Sequence, residues 1–156
     1  MIANHVLDLA RARGVMIAAA ESCTGGLVAA ALTDVPGSSD VVERGFVTYS
    51  NQSKIEMLGV SASTLTDHGA VSEEVAREMA DGALTHSHAH LAVSITGIAG
   101  PGGSEHKPEG RVCFGLAMNG RDTLTETRDY GALGRAKVRE RSRDHAISLL
   151  RRALEE

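Results

Sequence analysis

The sequence predicts an α/β fold: a three-layer α/β/α sandwich around a mixed, mostly parallel sheet of about five strands. Short apolar runs alternate with amphipathic segments of helical spacing, which is typical of strands joined by helical crossovers. The last two strands flank Asn119-Gly120, which predicts a β-hairpin on a type I′ turn and so one antiparallel edge. The chain of 156 residues is expected to form one domain, residues 1–156.

Helix boundaries are predicted from the apolar spacing together with start and stop residues. Gly14 ends the first helix and Pro36-Gly37 the second, while Asn51 and Ser72 are expected to cap later helices. The predicted helices, in chain order, cover residues 2–13, 24–34, 51–58, 63–68, 72–87 and 133–154.

The strands are predicted where apolar runs are too short to form helices of their own. The predicted strands cover residues 15–20, 41–49, 91–96, 111–118 and 122–130. The stretch 97–110 is irregular and contains five glycines and two prolines. Such a loop either brings its backbone close to a ligand or is a plain surface lid, and its pattern matches neither a Walker loop nor a dinucleotide fingerprint.

Composition excludes several function classes. The net charge of −4 and the 3% aromatic content argue against a nucleic-acid binder. Cys23 and Cys113 form no disulfide framework, and no apolar stretch approaches the ~18 residues of a membrane span. Without a signal-peptide layout, the chain is expected to be cytoplasmic, with no membrane partner.

The corner around Ser22 is the strongest candidate site. A buried strand ends there and a small-residue helix follows, so a hydroxyl, a thiol and free backbone N–H groups meet at a positive helix end. An anion or the oxyanion of an acyl transfer fits such a place. Ser22 is then either a nucleophile or only the N-cap of the helix. Cys23 is a rival nucleophile, because a helix N-terminus lowers the pKa of a thiol.

Lys54 and Tyr49 favour the nucleophile interpretation. If Asn51 caps its helix, Lys54 lies at position N3, where the helix dipole disfavours a cation and lowers the lysine pKa. A neutral amine is a general base, and Ser–Lys pairs are known variants of the catalytic triad. Tyr49 and Thr96-Gly97 end their strands at the same sheet edge, where open α/β sheets bind ligands. The alternative for Lys54 is an ordinary surface lysine.

A metal site is not expected. His86, His88 and His90 alternate before a strand, but no further ligand is spaced to complete a site. The preferred interpretation of these histidines is a polar helix end and loop. No cofactor is predicted.

Several longer motifs together resemble one known family, the C-terminal domain family of the competence/damage-inducible protein CinA. The motifs cover nearly the whole chain, and in sequence order they are residues 20–26 (AESCTGG), 36–39 (PGSS), 45–51 (GFVTYSN) with Lys54, 68–72 (HGAVS), 96–103 (TGIAGPGG) and 107–108 (KP). The resemblance implies a three-layer fold, no metal, a homo-oligomer, and hydrolysis of nicotinamide mononucleotide to nicotinic acid mononucleotide and ammonia. Full-length members carry an N-terminal domain like those that bind molybdopterin, for which Met1 is expected to leave no room.

The same resemblance assigns the site residues. It implies that Ser22 is the nucleophile, assisted by Lys54 and Tyr49, and that backbone N–H groups around Cys23 to Gly26 hold the oxyanion. The substrate-binding set implied by the motifs is Cys23, Thr24, Gly25, Gly26, Thr96, Gly97, Gly100, Gly102, Gly103, Arg135 and Arg139. An arginine suits the substrate phosphate because it donates in bidentate fashion.

One position departs from the family pattern. Gly134 stands where the family carries Asp before an arginine, which leaves the position of Arg135 less secure. Two other hypotheses therefore remain open: a nucleotide- or phosphate-binding sensor without chemistry, and a thiol hydrolase that uses Cys23.

Overall fold

The computed structural model describes residues 2–156 and contains six α-helices and five β-strands in the predicted order. The helices are α1 Ile2–Arg13, α2 Leu27–Thr33, α3 Asn51–Leu58, α4 Ala62–His68, α5 Glu73–Thr85 and α6 Arg135–Glu155. The strands are β1 Ile17–Glu21, β2 Val42–Val47, β3 Leu91–Gly97, β4 Arg111–Met118 and β5 Leu124–Asp129. No helix in this described part of the chain is long and apolar enough to span a bilayer.

The strands form one mixed sheet in the order β2-β1-β3-β4-β5. Strands β2, β1 and β3 are parallel, whereas β4 and β5 are each antiparallel to the strand before them. The predicted fold class is therefore confirmed. The parallel arrangement matters for the site because it brings the carboxyl ends of β1, β2 and β3 to one edge.

The helices cover both faces of the sheet, and strand side chains alternate between two aliphatic cores. Ile17, Val93 and Ile95 pack in the larger core, to which α1, α2 and α6 contribute. Ala18, Ala20 and Ala92 point to the other face, where α3 and α5 pack. The small residues let α5 approach closely, and Gly115 shows how closely, because a Cβ there would lie 2.4 Å from the carbonyl oxygen of Ala76 on α5.

Helix α2 begins three residues later than predicted because a buried carboxylate caps it. Glu21 is 1% exposed and accepts hydrogen bonds from the backbone N–H groups of Gly26, Val28 and Ala29 at 3.2, 2.9 and 3.0 Å. These are groups of the first turn, which a side chain or water must otherwise satisfy. Ser22 is therefore not the N-cap of α2, and residues 22–26 form a turn between strand and helix.

The predicted type I′ turn between the last two strands is wrong. Gly120 has a positive φ of 81°, but Asn119 is not in the left-handed region that a type I′ turn needs at both central residues. The last pair between β4 and β5 is Leu116 with Leu124, so seven residues separate the paired positions. The physical reason is that β4 pairs with β3 as far as Met118, which pairs with Leu91. Strand β4 therefore extends beyond its last pair with β5.

We expect Glu21→Gln to lower the free energy of unfolding by about 2 kcal/mol, because hydrogen bonds to a charged acceptor are worth about 1.5–3 kcal/mol and an amide cannot accept all three N–H groups. Chemical denaturation would measure the change. Glu140→Gln is the matched control, since this α6 carboxylate pairs only with Lys137 on an exposed face. An equal, small effect of both variants would contradict the capping role.

Candidate active site

A cavity of about 330 Å³ opens at the carboxyl ends of the three parallel strands. Its walls come from the turn after β1, the segment from Tyr49 to Lys54, residues 70–71, the long loop after β3, and the start of α6. The lining residues are Ser22, Cys23, Tyr49, Asn51, Lys54, Ala70, Val71, Thr96, Gly97, Ile98, Ala99, Gly100, Pro101, Gly102, Gly103, Ser104, Glu105 and Arg135. The sheet edge at which the sequence predicts the parallel strands to end thus lines a single cavity.

Ser22 and Lys54 meet in the wall of this cavity. The Lys54 Nζ atom donates to Ser22 Oγ at 3.1 Å and to the Thr48 carbonyl oxygen at 3.0 Å. Ser22 is 8% exposed and Lys54 is 2% exposed, so neither side chain is an ordinary surface group. The distance lies within the reach that a general base needs toward the hydroxyl it deprotonates.

Burial increases the fraction of Lys54 that is neutral at a given pH. Removal of the ammonium from water lowers the pKa of Lys54 below its ordinary value of 10.5. The helical position differs from the prediction, since Ser50 rather than Asn51 caps α3 in a capping box with Ser53. Lys54 therefore lies at N4 rather than N3, and its lowered pKa follows mainly from desolvation instead of the helix dipole.

The backbone N–H group of Cys23, beside Ser22, is free to bind an oxyanion. Neither the Cys23 nor the Thr24 N–H donates to another residue among positions 2–156. The predicted donors Gly25 and Gly26 are already engaged: Gly25 N–H donates to the Ser22 carbonyl at 3.0 Å and Gly26 N–H to Glu21. Thr24 is fully buried and does not line the cavity, so Cys23 is the one candidate oxyanion donor among the four residues.

Tyr49 lies at the rim of the cavity rather than beside the nucleophile. Its side chain is 60% exposed, and its hydroxyl accepts a hydrogen bond from the Arg135 guanidinium. Arg135 also donates to the Gly100 carbonyl oxygen at 2.7 Å. Arg135 therefore joins three parts of the rim, namely the end of the β2 segment, the long loop and the start of α6.

Arg139, one turn further along α6, braces the Ser22 turn from outside the cavity. Its guanidinium donates to the carbonyl oxygens of Cys23 at 3.1 Å and Thr24 at 3.3 Å. Of the predicted substrate-binding residues, Arg139, Thr24, Gly25 and Gly26 are absent from the cavity lining, whereas the other seven line it.

Cys23 lines the cavity, but its thiol is poorly suited to nucleophilic attack. Burial raises the pKa of Cys23 to about 12, the opposite of the shift predicted from a helix N-terminus. The physical reason is that Glu21 caps α2, so the helix begins four residues beyond Cys23 and desolvation dominates.

The long loop carries functional candidates that the residue patterns alone do not single out. Lys107 donates to the carbonyl oxygens of His68 and Val71, and the Glu105 carboxylate accepts the Ala70 N–H at 3.2 Å. These contacts fasten the loop to the segment between α4 and α5. Lys107 stands in one of the quoted family motifs, which is the only sequence signal for it, whereas the position of Glu105 depends on how the loop folds.

The three alternating histidines have no shared ligand site. His90 Nδ1 accepts the Met16 N–H at 2.9 Å, and His86 Nδ1 lies 2.8 Å from the Gly82 carbonyl oxygen. In the described residues 2–156 no group of three or more His, Cys, Asp or Glu side chains is arranged to hold a metal ion.

Comparison with known proteins shows the class: the chain belongs to the CinA family. The family model described as the CinA C-terminal domain matches residues 1–154. A CinA-like protein of Chloroherpeton thalassium is 49% identical over 97% of this chain and 37% of its own length. A CinA-like protein of Mycobacterium marinum is 55% identical over 90% of this chain and 33% of its own. The chain thus spans about a third of these curated relatives.

Solved structures agree in fold. A competence/damage-inducible protein from Agrobacterium tumefaciens superposes with a TM-score of 0.95 at 46% identity and covers 99% of this chain and 94% of its own. A CinA superfamily protein from Klebsiella pneumoniae gives a TM-score of 0.93 at 35% identity, with coverages of 99% and 96%. Both solved chains are of about the size of this chain and share its fold.

We expect both cysteines of the folded protein to resist iodoacetamide at pH 8. Both thiols are buried, and burial raises the pKa of each, so the reactive thiolate is scarce. Intact-mass spectrometry would show no adduct on the folded protein and two adducts on protein unfolded in guanidinium. Rapid labelling of Cys23 in the folded state would contradict this expectation and revive the thiol-hydrolase hypothesis.

Proposed function

We propose that this protein is a nicotinamide-nucleotide amidase that hydrolyses nicotinamide mononucleotide to nicotinic acid mononucleotide and ammonia. The observation that carries the proposal is the buried pair of Ser22 Oγ and Lys54 Nζ, 3.1 Å apart in the wall of the cavity. A hydroxyl beside a lysine of lowered pKa forms an activated nucleophile suited to acyl transfer. The substrate itself is suggested by the family motifs.

In the proposed mechanism the neutral Lys54 amine removes the proton of Ser22 as Oγ attacks the carboxamide carbon. The N–H group of Cys23, a residue that lines the cavity, holds the oxyanion of the tetrahedral intermediate. The Lys54 ammonium then gives its proton to the leaving nitrogen, so ammonia departs and an acyl-enzyme ester remains. Water, deprotonated by Lys54, attacks this ester and releases the carboxylate product and free Ser22.

Arg135 is the candidate ligand of the substrate phosphate. It lies at the rim, its guanidinium suits a phosphate, and the glycine-rich loop beside it offers close backbone approach. Tyr49, whose hydroxyl touches Arg135, then acts on substrate binding rather than on the proton of Ser22.

The high pKa of Cys23 argues against a thiol hydrolase. A sensor that binds nucleotide without chemistry would retain the cavity and Arg135, and activity measurements separate it from the amidase.

We expect the wild type to release ammonia from nicotinamide mononucleotide, and Ser22→Ala and Lys54→Arg each to lower kcat/KM by about 10³-fold or more. Ser22→Ala removes the nucleophile, and a guanidinium at position 54 stays protonated and cannot act as the base. Lys137→Arg is the matched control, because Lys137 lies on the exposed face of α6. Ammonia release that survives in Ser22→Ala would exclude the mechanism, and a folded wild type without activity would favour the sensor.

We also expect the activity of the wild type to rise with pH, with its inflection below pH 10.5. The base form of Lys54 increases with pH, and burial lowers the pKa at which this happens. Initial rates of kcat/KM across pH 6–10 at constant ionic strength would locate the inflection. A rate that falls over this range would show that the protonated amine, not the neutral one, is required.

A further inference from the structure

Three charged side chains line the cavity: Lys54, Arg135 and Glu105. The proposed mechanism uses the two cations, one as the base and one toward the phosphate. Glu105 is the one carboxylate in the lining formed by residues 2–156, and the amidase mechanism does not require it. A carboxylate in a cavity meant for a phosphate ester disfavours that ligand by charge repulsion, unless the ligand also carries a cation.

The loop and its neighbours hold the Glu105 carboxylate in place. Ser104 and Lys107 exchange two backbone hydrogen bonds at 3.1 and 2.8 Å, which closes a tight turn with Glu105 and His106 at its tip. Both tip residues have positive φ, 51° and 62°, the conformation that a type I′ turn requires. Glu105, at the tip of this turn, lines the cavity.

The segment between α4 and α5 also holds the Glu105 carboxylate in place. Glu105 Oε2 accepts the Ala70 N–H at 3.2 Å, and Lys107 anchors the same turn to the His68 and Val71 carbonyl oxygens. Gly69 leaves the space that the carboxylate occupies, since a Cβ at this position would collide with Oε2. Glu105 thus lines the same cavity as Lys54, and its charge partly opposes the desolvation that lowers the pKa of Lys54.

We propose that Glu105 is a specificity-determining residue that selects carboxamides on a cationic, N-alkylated pyridinium ring over carboxamides on a neutral ring. This inference rests on the proposed amidase function. The pyridinium charge belongs to the same ring as the carboxamide, so a substrate whose amide reaches Ser22 brings its cation into the cavity that Glu105 lines. Hydrolysis replaces the neutral amide with a carboxylate, which Glu105 repels, so the same charge favours departure of the product.

Two substrates separate charge selection from a merely structural role. Nicotinamide mononucleotide carries the cationic ring, and benzamide riboside 5′-phosphate presents the same carboxamide, ribose and phosphate on a neutral ring. Glu105→Gln removes the charge but retains an oxygen that accepts the Ala70 N–H. We expect this variant to lower kcat/KM for the cationic substrate relative to the neutral one by about fivefold, the effect of a partly exposed ion pair. The ratio of the two substrates cancels differences in their intrinsic reactivity.

Glu109→Gln is the matched control. Glu109 belongs to the same loop and accepts a backbone N–H, that of Gly102 at 2.7 Å, but it does not line the cavity. We expect the ratio of the two substrates to match the wild type in this variant. Equal losses for both substrates in Glu105→Gln, or no change for either, would overturn the proposal and leave Glu105 as a tether of the loop.

Failure of the Glu105 proposal can be distinguished from failure of the amidase proposal. If the folded wild type releases no ammonia, calorimetric binding of the same two compounds replaces the rates. A preference for the cationic compound that is lost in Glu105→Gln supports the role of Glu105 in a cavity without chemistry. A wild type that binds both compounds equally, or neither of them, refutes it.

Discussion

The carboxylate of Glu21 is the constraint on which the site depends. Where a strand runs directly into a helix, a side chain at the junction, in the position of Ser22, normally caps that helix. Here Glu21 satisfies three N–H groups of α2, so the chain can turn through residues 22–26 before the helix begins. Ser22 is left free to face Lys54, and its own N–H is fixed to the Ile95 carbonyl oxygen at 2.9 Å. Because the Glu21 carboxylate is buried, the position of Ser22 is set by contacts within the core.

The parallel ladder between β1 and β2 sets the distance between Ser22 and Lys54. Glu21 pairs with Val47, and the Thr48 N–H donates to the Glu21 carbonyl oxygen at 2.9 Å. The Thr48 carbonyl in turn accepts the Lys54 amine. Ser22 and Lys54 are thus each fixed to the end of one strand. A buried lysine costs stability unless its donors are paired, and the Thr48 carbonyl supplies one partner while the Ser22 hydroxyl supplies another.

The sequence predicts the fold and the proximity of Ser22 and Lys54 because apolar periodicity and shared strand ends are readable from the chain. Apolar periodicity locates α1 and β4 at their observed bounds, and parallel strand ends must share an edge, which brings Ser22, Tyr49 and Thr96 to one cavity. The errors arise where a tertiary contact overrides a local preference. Glu21 displaces the start of α2 from Thr24, and pairing with β3 carries β4 past the predicted hairpin turn. Tyr49 points to Arg135, a contact across 86 residues that no local pattern encodes.

The departure at Gly134 also has a structural explanation. Gly134 is the N-cap residue of α6, with φ 94° and ψ 150°, a backbone region that residues with a side chain rarely occupy. An aspartate at this point would need a different backbone to cap the helix, so the glycine changes the approach of the chain to α6 as well as removing a carboxylate. Arg135 is instead positioned by the Tyr49 hydroxyl and the Gly100 carbonyl. Because both partners are uncharged, no carboxylate neutralises the guanidinium, and under the proposed function the substrate phosphate would replace the tyrosine as its partner.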